Sequence, residues 1–117
     1  MAKKINQTNV ATRRIIEYLT FSAGAFVWRQ NVLPIPIVGG GFRSGGKKGV
    51  PDIIGILPRT GRFIGVETKK GRDKVNEEQE GFHTQARKLG AVIIVAQGND
   101  ADEIFNSFLE QWTIIMK

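Results

Sequence analysis

Cysteine is absent from the 117-residue chain. Disulfides, thiolate metal ligands and cysteine nucleophiles are thereby excluded, and a reducing compartment is the setting this composition suits. No apolar run approaches the roughly 20 residues that cross a bilayer. The N-terminus carries no apolar stretch of the signal-peptide kind, because Lys3 and Lys4 lead into Asn6, Gln7, Thr8 and Asn9. A cytoplasmic protein with no membrane span is expected. Glycines cluster at Gly39-Gly40-Gly41 and Gly45-Gly46, but not between a strand and a helix start. There is accordingly no dinucleotide fingerprint and no Walker loop, and no nucleotide cofactor is expected. Repeats and low-complexity tails are lacking too, and the length suits a single domain, residues 1–117, with one core.

Acidic side chains are the scarcer charge. Lys and Arg number 17 against 11 Asp and Glu, a net charge of +6. The excess gathers at Arg13 and Arg14, at Arg29, at Arg43 with Lys47 and Lys48, and at Lys69 with Lys70 and Arg72. A solvated, solubilising surface would account for such clusters without a partner. Nucleic acid is the partner class they favour, since a polyphosphate releases counterions when they dock.

The apolar pattern predicts helix, three strands, helix, strand, helix. Val10, Ile15, Ile16, Tyr18, Leu19 and Phe21 fall at helical spacing over residues 8–21, with Thr8 or Asn9 as cap. Residues 25–32 read as the first strand. Residues 33–49, rich in glycine, read as a mobile basic loop whose amides, with Arg43, Lys47 and Lys48, suit a DNA backbone. Residues 53–57 and 62–66 read as strands joined by the turn Pro58-Arg59-Thr60-Gly61. Asn76 with Gln79 forms a capping-box signature for a helix that Gly90 ends. The apolar run 91–96 reads as a strand buried on both faces. Asp100 and Glu103 start a last helix bearing Ile104, Phe105, Phe108, Leu109, Trp112 and Ile115. Strand three, helix two and strand four then form a right-handed crossover with the two strands parallel. Trp28 and Trp112 read as core, and Phe105, Phe108 and Trp112 offer more apolar surface than one small core requires.

The hairpin returns Glu67 to the side of Asp52. Residues two apart on a strand share a face, so Glu67 and Lys69 point one way and Thr68 the other. Two carboxylates within a few ångströms repel, which calls for a cation or a raised pKa. Oxygen ligands with no Cys or His nearby select Mg²⁺ or Mn²⁺ over Zn²⁺. Asp52 and Glu67 are the candidate ligands, with the backbone carbonyl of Thr68 a third. A metal there would activate a water and offset phosphate charge, and Lys69 would orient that water or stabilise the pentacovalent transition state. This is the equipment of a metal-dependent phosphodiesterase, and the competing reading is a structural salt bridge between Lys69 and one acid. His83 follows Gln79 by one helical turn, either at the pocket edge as a proton donor or as an ordinary solvent-facing or satisfied histidine.

Pro51-Asp52 with Glu67-Thr68-Lys69 resembles the motif of the PD-(D/E)xK nuclease superfamily. More narrowly, the chain is similar to the VRR-NUC family of small phage and bacterial nucleases over most of residues 13–98. The matching stretches include Phe26-Val27-Trp28-Arg29-Gln30-Asn31, Lys48-Gly49-Val50-Pro51-Asp52 and Gly65-Val66-Glu67-Thr68-Lys69. The resemblance implies an α/β, restriction-endonuclease-like core: a helix, a three-stranded antiparallel meander, a crossover helix, a parallel fourth strand and a C-terminal helix. It also implies three further site residues. Gln79 would hold the nucleophilic water or a phosphate oxygen, Glu17 on the first helix would complete the metal shell, and Arg29 would face the substrate. Gln79 also has the plainer role of a cap, and Glu17 that of a surface partner for Arg13 or Arg14. Where the family usually has an aliphatic residue between Glu and Lys, this chain has Thr68.

The expected function is that of a Mg²⁺-dependent, structure-specific DNA endonuclease, with Mn²⁺ able to substitute. Asp52, Glu67, Lys69 and Gln79 would be catalytic, and Arg29, Arg43, Lys47, Lys48, Lys70 and Arg72 would bind DNA. Stand-alone nucleases of this kind lack appended recognition domains. A homodimer presenting two sites matches a branched, two-fold substrate such as a four-way (Holliday) junction. Flap, nicking or restriction-like cleavage and a non-catalytic DNA-binding module are the alternatives.

Overall fold

The computed structural model describes residues 5–30, 35–43 and 46–117, with the side chains of Ile35 and Arg43 outside the described set. Helix α1 (Gln7–Glu17) starts two or three residues earlier than the expected caps, Thr8 or Asn9, imply. Asn6 is its cap, the side chain accepting from the Asn9 N–H at 3.0 Å, while Thr8 lies inside the first turn and donates its hydroxyl to the same oxygen. The helix continues into a π-helical turn, Tyr18–Ser22, which carries Leu19 into the core. Strand β1 (Phe26–Arg29) is shorter than the stretch 25–32, of which Asn31 and Val32 lie outside the described residues.

The segment read as a loop contains a two-stranded ribbon. β2 (Ile35–Pro36) pairs antiparallel with β3 (Phe42–Arg43), and Gly39, Gly40 and Gly41 turn between them, all at positive φ. Left-handed backbone is what glycine supplies to a tight turn, so the composition that suggested mobility also encodes a reversal.

β4 (Ile53–Ile56), β5 (Phe63–Lys70) and β6 (Val92–Gly98) join β1 in a sheet of order β1-β4-β5-β6. The first three are antiparallel, and β5 and β6 are parallel across helix α2 (Glu77–Lys88). Helix α3 (Ala101–Ile115) follows, capped by Asp100 as expected. The element order is the one the resemblance implies. α1 and α3 cover one face, where Ala11, Ile15, Leu19, Ile104, Phe108 and Trp112 pack on Val27, Ile53, Ile64, Val66 and Ile94. Each Val, Leu, Ile or Phe side chain among them contributes about 1.5–3 kcal/mol on burial, so this layer fixes the sheet on which the site is built.

The opposite face is half covered. α2 packs on β6, while Phe26 and Trp28 on β1 and Ile56 on β4 stay exposed. Trp28, expected in the core, is 41% exposed and lies 5.2 Å from Phe26 between ring centroids. The reason is alternation: Val27 and Arg29 of β1 face α1, so Phe26 and Trp28 face away. Trp112 and Phe108 are buried in the core, so exposed apolar side chains lie on this sheet face rather than at these two positions of the last helix. Among the described residues no helix is long and apolar enough to cross a membrane.

Candidate active site

The β4–β5 hairpin sets the geometry. Ile53 pairs with Val66, so one step further out Asp52 stands opposite Glu67, and cross-strand partners share a face with Cβ atoms about 4.5–5.5 Å apart. Two glycines permit the close approach. A Cβ on Gly65 would come 2.7 Å from Pro51 Cγ, and one on Gly49, at φ +80°, would come 2.2 Å from the Glu78 carbonyl oxygen. The chain entering Asp52 is thus wedged between β5 and the first turn of α2.

Thr68 holds Asp52. Asp52 Oδ2 accepts from the Thr68 N–H at 2.9 Å and from its hydroxyl at 3.2 Å. That hydroxyl lies 3.1 Å from the hydroxyl of Thr12 on α1, which also reaches the Thr8 carbonyl at 2.7 Å. Two protons serve three contacts, and the carboxylate has first claim on the Thr68 proton because a charge-assisted bond is the stronger one. An aliphatic residue at position 68 would lack this bond. Sequence reasoning did not single out Thr12; the available signal was a buried threonine on the otherwise apolar face of Ala11 and Ile15.

Glu67 projects the other way, toward α2, and is fully buried. Gln79 Nε2 reaches its Oε2 at 3.3 Å. The same side chain completes the capping box, its Oε1 accepting from the Asn76 N–H at 2.9 Å while Asn76 Oδ1 accepts from the Gln79 N–H at 2.8 Å. The cap and the contact to Glu67 are therefore one geometry, because fixing Oε1 aims Nε2. His83 is neither solvent-facing nor satisfied: it is 3% exposed, and its Nε2 stands 3.5 Å from Glu67 Oε1. Neither atom has a hydrogen-bond partner among the described residues.

Burial, then the charge of Asp52, push the Glu67 carboxyl up to about 8, with Lys69 pulling down and a hydrogen bond to Asp52 adding to the rise. Burial, then the cations of Arg87 and Lys69, hold His83 below its ordinary value, with Glu80 opposing. Near pH 7 both groups are mainly uncharged, so their contact is not an ion pair. Lys69 lies on the Glu67 face of β5 and enters none of the ion pairs among the described residues.

Two carboxyls near enough to share a proton are near enough to share a cation in its place. The N–H and C=O of one strand residue point to the same edge. The Thr68 carbonyl therefore opens toward Asp52, as its N–H does. Asp52, Glu67 and this carbonyl form an all-oxygen set that fits a hard divalent ion.

Other expected residues are not gathered here. Glu17 is exposed at the end of α1, about 7.5 Å along the axis from Thr12 and on another face of the helix. Among the described residues no three His, Cys, Asp or Glu side chains converge as a metal cluster. Arg29 lies on the α1 side of the sheet, its guanidinium bonded to Asn9 Oδ1. Lys48 pairs with Glu78 at 3.6 Å. With Lys47 and Arg62 it rims an open groove of about 880 Å³ floored by Phe63, Phe82 and Leu89. The groove follows the Gly81 and Phe82 side of α2 and includes none of Asp52, Glu67 and Lys69, so it adjoins the site without being it. Lys70 and Arg72 are exposed at the end of β5 that bears Glu67. The side chain of Arg43 lies outside the described residues.

A family model, the VRR-NUC domain, matches residues 30–100, more than half of the chain. A solved structure described as a VRR-NUC domain is 24% identical, with 91% of this chain and 97% of that one covered and a TM-score of 0.58. That likeness shows a shared fold. No curated protein matches the chain.

Proposed function

The chain belongs to the VRR-NUC family, and from that premise we propose that it is a Mg²⁺-dependent, structure-specific DNA endonuclease, a single domain acting in the cytoplasm. The observation that carries the reading is the pairing of Asp52 with a buried Glu67 whose carboxyl is pushed up to about 8, with Lys69 on the same face. Two carboxylates so placed are unfavourable when both are ionised, unless a cation takes the place of the proton.

Asp52, Glu67 and the Thr68 carbonyl would hold the ion, which when bound acts as a Lewis acid on the phosphate and lowers the pKa of a water. The chain's own groups do the rest. Thr68 orients Asp52, Gln79 orients Glu67, and the Lys69 ammonium offsets negative charge that builds on the scissile phosphate. Lys70, Arg72, Lys47 and Lys48 are exposed cations for the DNA backbone. A four-way junction is the substrate class we favour, cut by a homodimer. Phe26, Trp28 and Ile56, exposed neighbours on one face of the sheet, support self-association as clustered apolar side chains.

The test is incubation with four-way junction, flap, nicked and linear duplexes in Mg²⁺ or EDTA. Symmetric junction cuts that need Mg²⁺ are expected, with Asp52→Asn and Lys69→Ala abolishing cleavage and leaving junction binding intact. Cleavage indifferent to EDTA, or undiminished in both variants, would refute the mechanism.

A further inference from the structure

We propose that His83 is a positioning residue for Glu67, its Nε2–H closing onto Oε1 while Gln79 holds Oε2, so that the carboxylate is presented in one orientation to its cation. The proposal rests on the metal-nuclease reading above. Its ground is geometric. Glu67 Oε1 and His83 Nε2 are buried, face each other at 3.5 Å and have no hydrogen-bond partner among the described residues. A buried polar group without a partner costs roughly 1–3 kcal/mol. An apolar residue at position 83 would carry no such penalty, so the pair has the form of a hydrogen bond that a small side-chain shift closes.

The placement on α2 fits that role. Gln79 and His83 lie one turn apart on one helix face, and they address different oxygens of the same carboxylate. Each carboxylate oxygen offers two lone pairs, so a clamp using one on each oxygen leaves the others for a metal. Groups that hold a ligating carboxylate from behind matter for affinity, and their loss typically costs about 10- to 100-fold. His83 acts through Glu67 and touches neither phosphate nor metal.

The chain has a single histidine, so ring ¹⁵N labelling reports one imidazole without assignment. In the Mg²⁺-loaded wild type the Nε2–H tautomer is expected, and the Nδ1–H tautomer would overturn the proposal. Calorimetry with Mn²⁺ provides the second arm. His83→Leu should bind Mn²⁺ about tenfold or more weakly with an unchanged circular dichroism spectrum, and His83→Gln, which keeps an N–H donor, should regain most of the loss. Binding by His83→Leu within twofold of wild type would sink the positioning role and leave the Asp52 and Glu67 site standing. A wild-type protein that takes up neither Mg²⁺ nor Mn²⁺ would instead overturn the metal reading, and this inference with it.

Discussion

Replacing Glu67 by Gln should make the metal-free protein more stable, increasingly so as pH rises. In the folded apoprotein the Glu67 carboxyl keeps its proton to about pH 8, against an ordinary value of 4.5 in the unfolded chain. Between those limits the folded state binds the extra proton, so unfolding releases it and stability falls as pH rises. At roughly 1.4 kcal/mol per pH unit, the loss from this one group between pH 5 and pH 9 is about 4 kcal/mol, a large part of the ~5–15 kcal/mol typical of a domain. Gln cannot ionise and keeps the shape. Urea unfolding in EDTA at pH 5, 7 and 9 measures both proteins. The difference between them should shift by about 4 kcal/mol in favour of Glu67→Gln over that range, and saturating Mg²⁺ at pH 9 should restore the wild type alone. A difference that stays constant within ~1 kcal/mol across the range would refute the account of Glu67 as a buried acid that ionises at a penalty.

Gly65→Ala should destabilise by about 1–3 kcal/mol and depress cleavage, because the new Cβ would lie 2.7 Å from Pro51 Cγ and 3.0 Å from Ile93 Cδ1, pushing Asp52 off Glu67. Gly81→Ala, with nothing within 4 Å of the added atom, should gain up to about 1 kcal/mol and cut at the wild-type rate; thermal melts and initial rates decide both. Asn76→Ala and Gln79→Ala should each lose about 1 kcal/mol with the capping box, but only Gln79→Ala should also lose at least about tenfold in Mn²⁺ affinity. Equal Mn²⁺ affinity in the two variants by calorimetry would show that the Gln79 contact to Glu67 is merely structural.

The elements legible in the sequence were those with redundant local signals. Asn76 with Gln79 announced α2 because the cap residues stand at fixed spacing, and Ile93-Ile94-Val95 announced β6 because a strand covered on both faces has no polar positions. The start of α1 was misplaced because Asn6, Thr8 and Asn9 are all able to cap, and only the fold decides which oxygen meets a free N–H. Trp28 was misplaced for a similar reason: alternation in β1 separates two faces but does not say that α2 stops short of one of them. The register that puts Asp52 opposite Glu67 followed from hairpin length alone. The side chains behind these acids did not. Thr12 meets Thr68 across 56 positions of sequence, and His83 meets Glu67 from a neighbouring helix; neither spacing is written in any local pattern.

Thr68 apart, whose hydroxyl holds Asp52 from the α1 side, the site and the apolar packing of the fold lie on opposite faces of the same strand. On β5, Ile64 and Val66 join the layer under α1 and α3, while Gly65, Glu67 and Lys69 face α2. A substitution at Ile64 or Val66 therefore acts through packing, at about 2–5 kcal/mol for a large-to-small change, and should lower stability before it alters chemistry. One toward α2 meets a buried acid and two unpartnered polar atoms, where an apolar replacement relieves a penalty. Variants selected only for thermal stability should thus accumulate at Glu67 and His83 and lose metal binding as they gain stability.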